Sequence, residues 1–162
     1  MYPVKLGFET AVRRIQDLSK NGHNAESLVT SVFTVEKTLR RTLKQLIVSA
    51  GFKSKIADKI INNIRGLEAL KNAWEYYDPA HKKLTDIITQ QDWKTVKDNS
   101  ERRNDLVHGV RVYNLALCEK ETKSNITALR NIKKAFEDTY GYSGWTPMAV
   151  RKISKLHIDP RF

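Results

Sequence analysis

The chain has few of the residues that interrupt helices or form cross-links. Its 162 residues include one cysteine, Cys118, together with four prolines and seven glycines. A single cysteine excludes a disulfide within the chain, and it also excludes a zinc site or redox pair built from several cysteines. Signals for β-hairpins are missing, because the one Asn-Gly pair, Asn21-Gly22, lies between helical patterns rather than between alternating strands.

Long apolar runs are also missing. No segment approaches the roughly 20 apolar residues that span a bilayer, and the N-terminus has no apolar core of the secretory type. We therefore expect a cytoplasmic protein without membrane contact. The spacings His-x-x-x-His and His-Glu-x-x-His do not occur, so we predict neither a metal site nor another cofactor.

What the chain does have is an excess of positive charge. Lysine and arginine together number 29 against 18 aspartates and glutamates, which gives a net charge of +11. Such an excess favours anionic partners, nucleic acid in particular. The alternatives are a solvated basic surface and an acidic protein partner.

Helical periodicity dominates the pattern. Apolar residues recur every three or four positions, which predicts an all-α bundle of about five to six helices with two long antiparallel core helices. The long helices are expected near residues 25–49 and 118–140. Two acidic residues are predicted caps: Asp78, followed by Pro79, would begin one helix, and Asp92 would begin the helix before the second long one.

The chain is predicted to divide into a body and a tail. Residues 1–140 form the expected helical domain, and residues 141–162 form an irregular basic and aromatic tail that packs on it or extends from it. In this tail, aromatic and basic residues together could stack bases and bind phosphates. We favour the alternative that Trp145 anchors the tail on the body by burial.

The most informative segment is Arg103-Asn104-Asp105-Leu106-Val107-His108. On a helix, Asn104 and His108 form an i,i+4 pair, and Arg103 lies close enough to converge with them on one small ligand. Arginine fits phosphate in fork geometry, and histidine exchanges a proton near neutral pH. This combination favours phosphodiester cleavage. The alternatives are that His108 caps the last helical carbonyls, that Arg103 forms a surface salt bridge and that Asn104 is a plain surface amide.

The segment resembles the Arg-polar-x-x-x-His motif of the HEPN superfamily (higher eukaryotes and prokaryotes nucleotide-binding domain), with Arg103, Asn104 and His108 at the motif positions. The resemblance implies a metal-independent endoribonuclease that acts as a homodimer on single-stranded or looped RNA, tRNA loops included. It also implies a toxin or antiviral effector, with an antitoxin or regulatory protein as a further partner. By the same resemblance, Arg103 binds the scissile phosphate, Asn104 orients His108 or binds a phosphate oxygen, and His108 transfers protons.

Glu36 is the second candidate for the catalytic site. It falls in the predicted apolar stripe of the first long helix, where a carboxylate is costly to bury unless it is paired. HEPN-like proteins often have an acidic residue in a comparable helical context, so we predict that Glu36 faces the motif helix and orients Arg103 or Asn104. The sequence leaves an i,i+4 pair between Glu36 and Arg40 equally open.

Four basic residues complete the predicted RNA-binding surface: Arg40, Arg102, Lys152 and Lys155. Two other functions stay open. The first is a non-catalytic HEPN-like module that binds a nucleotide, RNA or a protein partner. The second is a dimerising or partner-binding helical protein in which the motif is structural. A helix-turn-helix is less favoured, since no short glycine-containing turn precedes a polar recognition helix.

Overall fold

The computed structural model describes residues 7–146, and all regular structure in this range is helical. The predicted all-α bundle is confirmed. Among these residues no helix is both long enough and apolar enough to cross a membrane. The seven helices of the described range are α1 (Phe8–Lys20), α2 (Asn24–Ser49), α3 (Ser54–Asn63), α4 (Leu67–Tyr77), α5 (Leu84–Ile87), α6 (Gln90–Val107) and α7 (Leu115–Tyr140).

The chain divides into two compact units, and α2 and α7 contribute residues to both. The first unit contains the chain up to Val35 together with Gln91–Asn131, and the second contains Glu36–Gln90 and the chain from Ile132 onward. Each unit has its own buried apolar side chains. Those of the first include Val12, Ile15, Leu28, Val32, Trp93, Val96, Cys118 and Leu129, and those of the second include Leu39, Leu43, Leu46, Ile47, Leu70, Trp74, Ile132 and Phe136.

Most of the apolar stripe predicted for α2, which comprises Val29, Val32 or Phe33, Glu36, Leu39, Leu43 and Leu46 or Ile47, is buried. Of the pair Val32 and Phe33, Val32 is buried and Phe33 is 62% exposed, and Val35 is buried as well. Glu36 is half-buried, at the edge of the apolar face. Two apolar series with helical period fit this segment, and the one that is buried leaves the carboxylate out of the interior, where it would be costly.

The predicted helix start at Asp78-Pro79 is wrong. Asp78 is the C-cap of α4, and the chain after it stays irregular until the short helix α5. The Asp78 Oδ1 atom accepts hydrogen bonds from the backbone N–H groups of Ala80 and Lys82, at 2.8 and 3.0 Å. The carboxylate therefore organises a turn, which is the other common use of aspartate before proline.

Asp92 is likewise not a cap. Helix α6 begins two residues earlier, at Gln90, and places Asp92 in its first turn. There the Asp92 Oδ1 atom accepts a hydrogen bond from Asn131 Nδ2 at 3.2 Å. The residue thus joins α6 to α7 within the first unit.

The two long helices run in the same direction in the first unit, not antiparallel as predicted. Asn24 Nδ2 donates to the Leu115 carbonyl at 3.2 Å, which joins the first residues of α2 and α7. Further along both helices, Asn125 Nδ2 donates to Ser31 Oγ at 3.0 Å. In the first unit α6 runs antiparallel to α7, because Asp92 near the start of α6 bonds to Asn131 and Arg102 near its end lies beside Glu121.

The described part of the tail, residues 141–146, packs against α2 in the second unit. Trp145 Nε1 donates to Thr38 Oγ1, and the backbone N–H of Gly144 donates to Thr42 Oγ1, both at 2.8 Å. The Arg41 guanidinium lies 5.8 Å from the centre of the Trp145 ring. These contacts are the ones expected of an anchor.

Gly144 is predicted to be essential for this packing. A Cβ atom at position 144 would lie 2.7 Å from Arg41 Cβ and 3.0 Å from the Thr38 carbonyl oxygen, and neither atom is the end of a flexible side chain. We expect Gly144→Ala to lower the free energy of unfolding by about 1–3 kcal/mol, measured by urea denaturation. Gly7→Ala is the control, because a Cβ atom there meets nothing within 4 Å. Equal stability of the two variants would contradict the prediction.

Candidate functional site

The C-terminal end of α6 closes with a glycine. Gly109 has φ +66°, the left-handed conformation that glycine adopts most readily after a helix. The backbone N–H of Val110 donates to the Asp105 carbonyl at 2.9 Å, and that of Gly109 to the Leu106 carbonyl at 3.4 Å. This pair of hydrogen bonds is the Schellman motif. It makes His108 the last residue before the chain turns away from the helix.

Two contacts help to position the Arg103 side chain at the end of α6. Its Nε atom donates to Asn104 Oδ1 at 2.9 Å. Its guanidinium carbon lies 5.9 Å from the centre of the exposed Phe33 ring on α2, a distance typical of a cation–π contact. The carboxamide and the ring together orient the guanidinium, which is half-buried.

His108 is exposed and continues the helical geometry for one further residue. Its backbone N–H donates to the Asn104 carbonyl at 2.9 Å, so the two residues keep the predicted i,i+4 relation. Among residues 7–146 the imidazole itself makes no hydrogen bond, and capping of the last carbonyls by this side chain is not realised. The structure thus brings Arg103, Asn104 and His108 together at one exposed helix end.

The connection between α6 and α7 is tied to the same helix end by a contact that the sequence analysis missed. Tyr113 donates its hydroxyl to Asp105 Oδ2 at 2.8 Å. The hydrogen bond to this carboxylate raises the pKa of the Tyr113 hydroxyl, which stays protonated and keeps donating. The tyrosine thereby fastens the loop beside His108 back onto α6.

A buried polar network fixes α6 from its inner side. Arg102 Nη1 donates to Asn99 Oδ1 at 3.0 Å and lies 3.4 Å from Glu121 Oε2. Asn99 Nδ2 is 3.5 Å from Asn125 Oδ1, and Asn125 Nδ2 donates to Ser31 Oγ at 3.0 Å. Both asparagines are almost fully buried. Because a buried carboxamide is costly without partners, this network is specific for one arrangement of α6 against α2 and α7.

Two predicted RNA-binding arginines have structural contacts instead of open surroundings. Arg102 belongs to the buried network. In the second unit, Arg40 Nη1 donates to the carbonyls of Ile61 and Ile64, at 3.2 and 3.0 Å, at the C-terminal end of α3. Arg40 is thus directed to α3 rather than to Glu36. That Arg102 and Arg40 bind RNA stays a prediction.

Three further residues were predicted for the site, and the structure describes one of them. Glu36 lies on α2 and is half-buried, and its action on Arg103 or Asn104 stays a prediction. Lys152 and Lys155 lie outside the described residues.

Neither a metal site nor a reactive thiol occurs in the described range. Between residues 7 and 146, no group of three or more His, Cys, Asp or Glu side chains could hold a metal ion. Cys118 packs with Leu28 and Val32, and burial raises the pKa of its thiol. This placement agrees with a small packing residue.

Comparisons of the chain with family models, with curated proteins and with solved structures find no match. The resemblance to the HEPN superfamily therefore depends on the Arg103–His108 motif and its position at a helix end. Function has to be argued from the chemistry of these side chains.

Proposed function

We propose that the protein is a metal-independent endoribonuclease of the HEPN type that cleaves single-stranded or looped RNA in the cytoplasm. The observation that carries the proposal is the exposed end of α6, where Arg103, Asn104 and His108 lie together. The net charge of +11 supports a polyanionic substrate. Unpaired RNA is the preferred form because its bases and backbone are free to adopt the geometry for in-line attack.

The proposed reaction uses the 2′-hydroxyl of the substrate as the nucleophile. A base removes the proton of this hydroxyl, the 2′-oxygen forms a bond to phosphorus, and the bond from phosphorus to the 5′-oxygen breaks. An acid protonates the leaving 5′-oxygen. The products are a 2′,3′-cyclic phosphate and a 5′-hydroxyl. His108 transfers protons in this scheme, and Arg103 offsets the charge that develops on the phosphate oxygens.

One chain provides one exposed histidine at this helix end, whereas the reaction needs both a base and an acid. A two-fold homodimer would place two His108 and two Arg103 side chains in one cleft. The first unit supports such a dimer with a run of exposed apolar side chains that adjoins the motif. Val107, Val110, Val112 and Leu115 are exposed by 60, 74, 91 and 57%. Exposed apolar groups clustered in this way are typical of protein interfaces.

The double variant Val110→Asp/Val112→Asp tests this dimer. Two carboxylates in an apolar interface repel each other and are costly to desolvate, so we expect a monomer in sedimentation velocity and loss of RNA cleavage. The control is Tyr76→Asp, which adds a carboxylate at another exposed apolar position, in the second unit. A wild-type monomer, or a double variant that dimerises as the wild type does, would contradict the dimer.

The decisive experiment is incubation of the purified chain with a defined tRNA pool in excess EDTA, followed by analysis of the fragment ends. We expect cyclic phosphate and 5′-hydroxyl ends on RNA and no cleavage of the matching DNA, which lacks the nucleophile. Salt-dependent RNA binding without any cleavage would reject the nuclease and favour the non-catalytic binding module. If cleavage is observed, an antitoxin or regulatory protein can be sought by its effect on the cleavage rate.

A further inference from the structure

Two basic side chains of the second unit, Lys37 and Arg41, lie on the exposed face of α2. Four lysines of this unit form ion pairs, which are Lys44–Asp58, Lys71–Glu68, Lys133–Glu137 and Lys134–Asp138. By contrast, Lys37 and Arg41 have no acidic partner within the part of the chain that the structure describes. Both side chains are exposed on α2.

Lys37 and Arg41 lie one helical turn apart, so their side chains share a face of α2. Partial desolvation lowers the pKa of Lys37, and the positive charge of Arg41 lowers it further. Like charges at this spacing destabilise a helix. An anion bound by both side chains would remove that repulsion, so the pair is suited to a phosphate.

An aromatic ring adjoins Arg41. The Arg41 guanidinium lies 5.8 Å from the centre of the Trp145 ring, and the hydrogen bond from Trp145 Nε1 to Thr38 fixes the ring plane. Trp145 is half-buried, whereas Trp74 and Trp93 are buried. It is therefore the tryptophan of this chain that a ligand can reach.

We propose that Lys37, Arg41 and Trp145 form a second binding site for single-stranded RNA. Lys37 and Arg41 contact backbone phosphates, and Trp145 stacks a neighbouring base. The combination decides the ligand class, because cations beside an accessible aromatic ring are the usual arrangement for unpaired nucleic acid. An acidic peptide would use the cations but not the ring. The site lies wholly within the second unit, so it is distinct from the Arg103–His108 site and goes beyond the proposed function.

Binding can be measured without cleavage by using a fluorescein-labelled 2′-O-methyl oligouridylate, which lacks the attacking hydroxyl. Fluorescence anisotropy on the full chain gives Kd at several salt concentrations. For Lys37→Gln/Arg41→Gln we expect about a tenfold rise in Kd and a salt slope smaller by about 1.4, since each phosphate contact to a single strand contributes about 0.7. The control, Lys71→Gln/Lys134→Gln, removes the same charge from two ion-paired lysines of this unit. Equal weakening in both double variants would overturn the proposal, because binding would then follow net charge alone.

Stacking has its own readout. Unlabelled oligonucleotide is expected to quench the tryptophan fluorescence of the wild type, and Trp145→Phe is expected to abolish the quenching while far-ultraviolet circular dichroism stays unchanged. Quenching that persists in Trp145→Phe would overturn the stacking role. Competition by oligoglutamate as strong as that by the oligonucleotide would instead assign the site to an acidic peptide.

The two proposals fail separately. If cleavage is absent but Lys37→Gln/Arg41→Gln weakens binding as described, only the nuclease proposal falls. If cleavage occurs and this double variant binds the oligonucleotide as the wild type does, only the second site falls.

Discussion

Replacing His108 with alanine is expected to lower the rate of RNA cleavage by about 10²–10⁴-fold, the usual contribution of a general acid or base. The imidazole is exposed at the end of α6, where the Schellman motif holds its backbone in helical register. Removing it takes away proton transfer and leaves the helix end intact. The measurement is the single-turnover cleavage rate of a labelled RNA in EDTA.

The matched control is His23→Ala, which removes an exposed histidine beside the turn between α1 and α2. It should cleave at the wild-type rate and unfold at the same denaturant concentration as His108→Ala. If His108→Ala cuts RNA as fast as the wild type, His108 has no catalytic role, and the proposed mechanism is wrong.

Arg103→Gln is expected to lower the cleavage rate by about 10²–10³-fold, the effect of removing one group that stabilises transition-state charge. The guanidinium is oriented by Asn104 and lies against the Phe33 ring. Glutamine keeps a polar side chain but removes the charge. Arg103→Lys should recover part of the rate at most, because lysine restores the charge without the planar fork that matches a phosphate.

Arg130→Gln makes the same chemical change at a surface arginine of the first unit, where the side chain pairs with Glu9. It should leave the cleavage rate unchanged, because Arg130 has no part in the proposed reaction and an exposed ion pair contributes little to stability. Should Arg103→Gln behave like Arg130→Gln, the charge of Arg103 is not used in catalysis. Binding of the uncleavable oligonucleotide, measured in parallel, separates loss of substrate affinity from loss of rate.

The helices and several of their ends were predictable from the sequence because they depend on local chemistry. The apolar period gave the two long helices, and Gly109 closes α6 through the left-handed conformation expected of it. Asp78 and Asp92 were misassigned for a related reason. An aspartate can cap a helix, organise a turn or accept a bond from another helix, and neighbouring residues do not distinguish these uses.

The relative direction of α2 and α7 could not be read from their sequences. An amphipathic helix can pack its apolar face in either direction, and the outcome depends on how many reversals the intervening helices make. In this chain an irregular segment and the short helix α5 replace the helix that was predicted to begin at Asp78. The prediction of antiparallel helices was therefore wrong even though both helices were correctly located.

The candidate site was also only partly predictable from the sequence. That Arg103, Asn104 and His108 lie at one helix end follows from their spacing alone. The buried hydrogen-bond network behind α6 could not be predicted, because Asn99 and Asn125 look like surface amides in a polar helix. A usable signal was their position on otherwise apolar faces, Asn99 three residues after the buried Val96 and Asn125 four before the buried Leu129.

The hydrogen bonds that connect Ser31, Asn125 and Asn99 fix the position of α6 along its own axis. A shift of α6 by one helical pitch, about 5.4 Å, would leave the buried carboxamides of Asn99 and Asn125 without hydrogen-bond partners. The network therefore allows one axial position of α6, and this position also determines where the Arg103 side chain lies. The segment after α6 is held separately, by the hydrogen bond from the Tyr113 hydroxyl to Asp105.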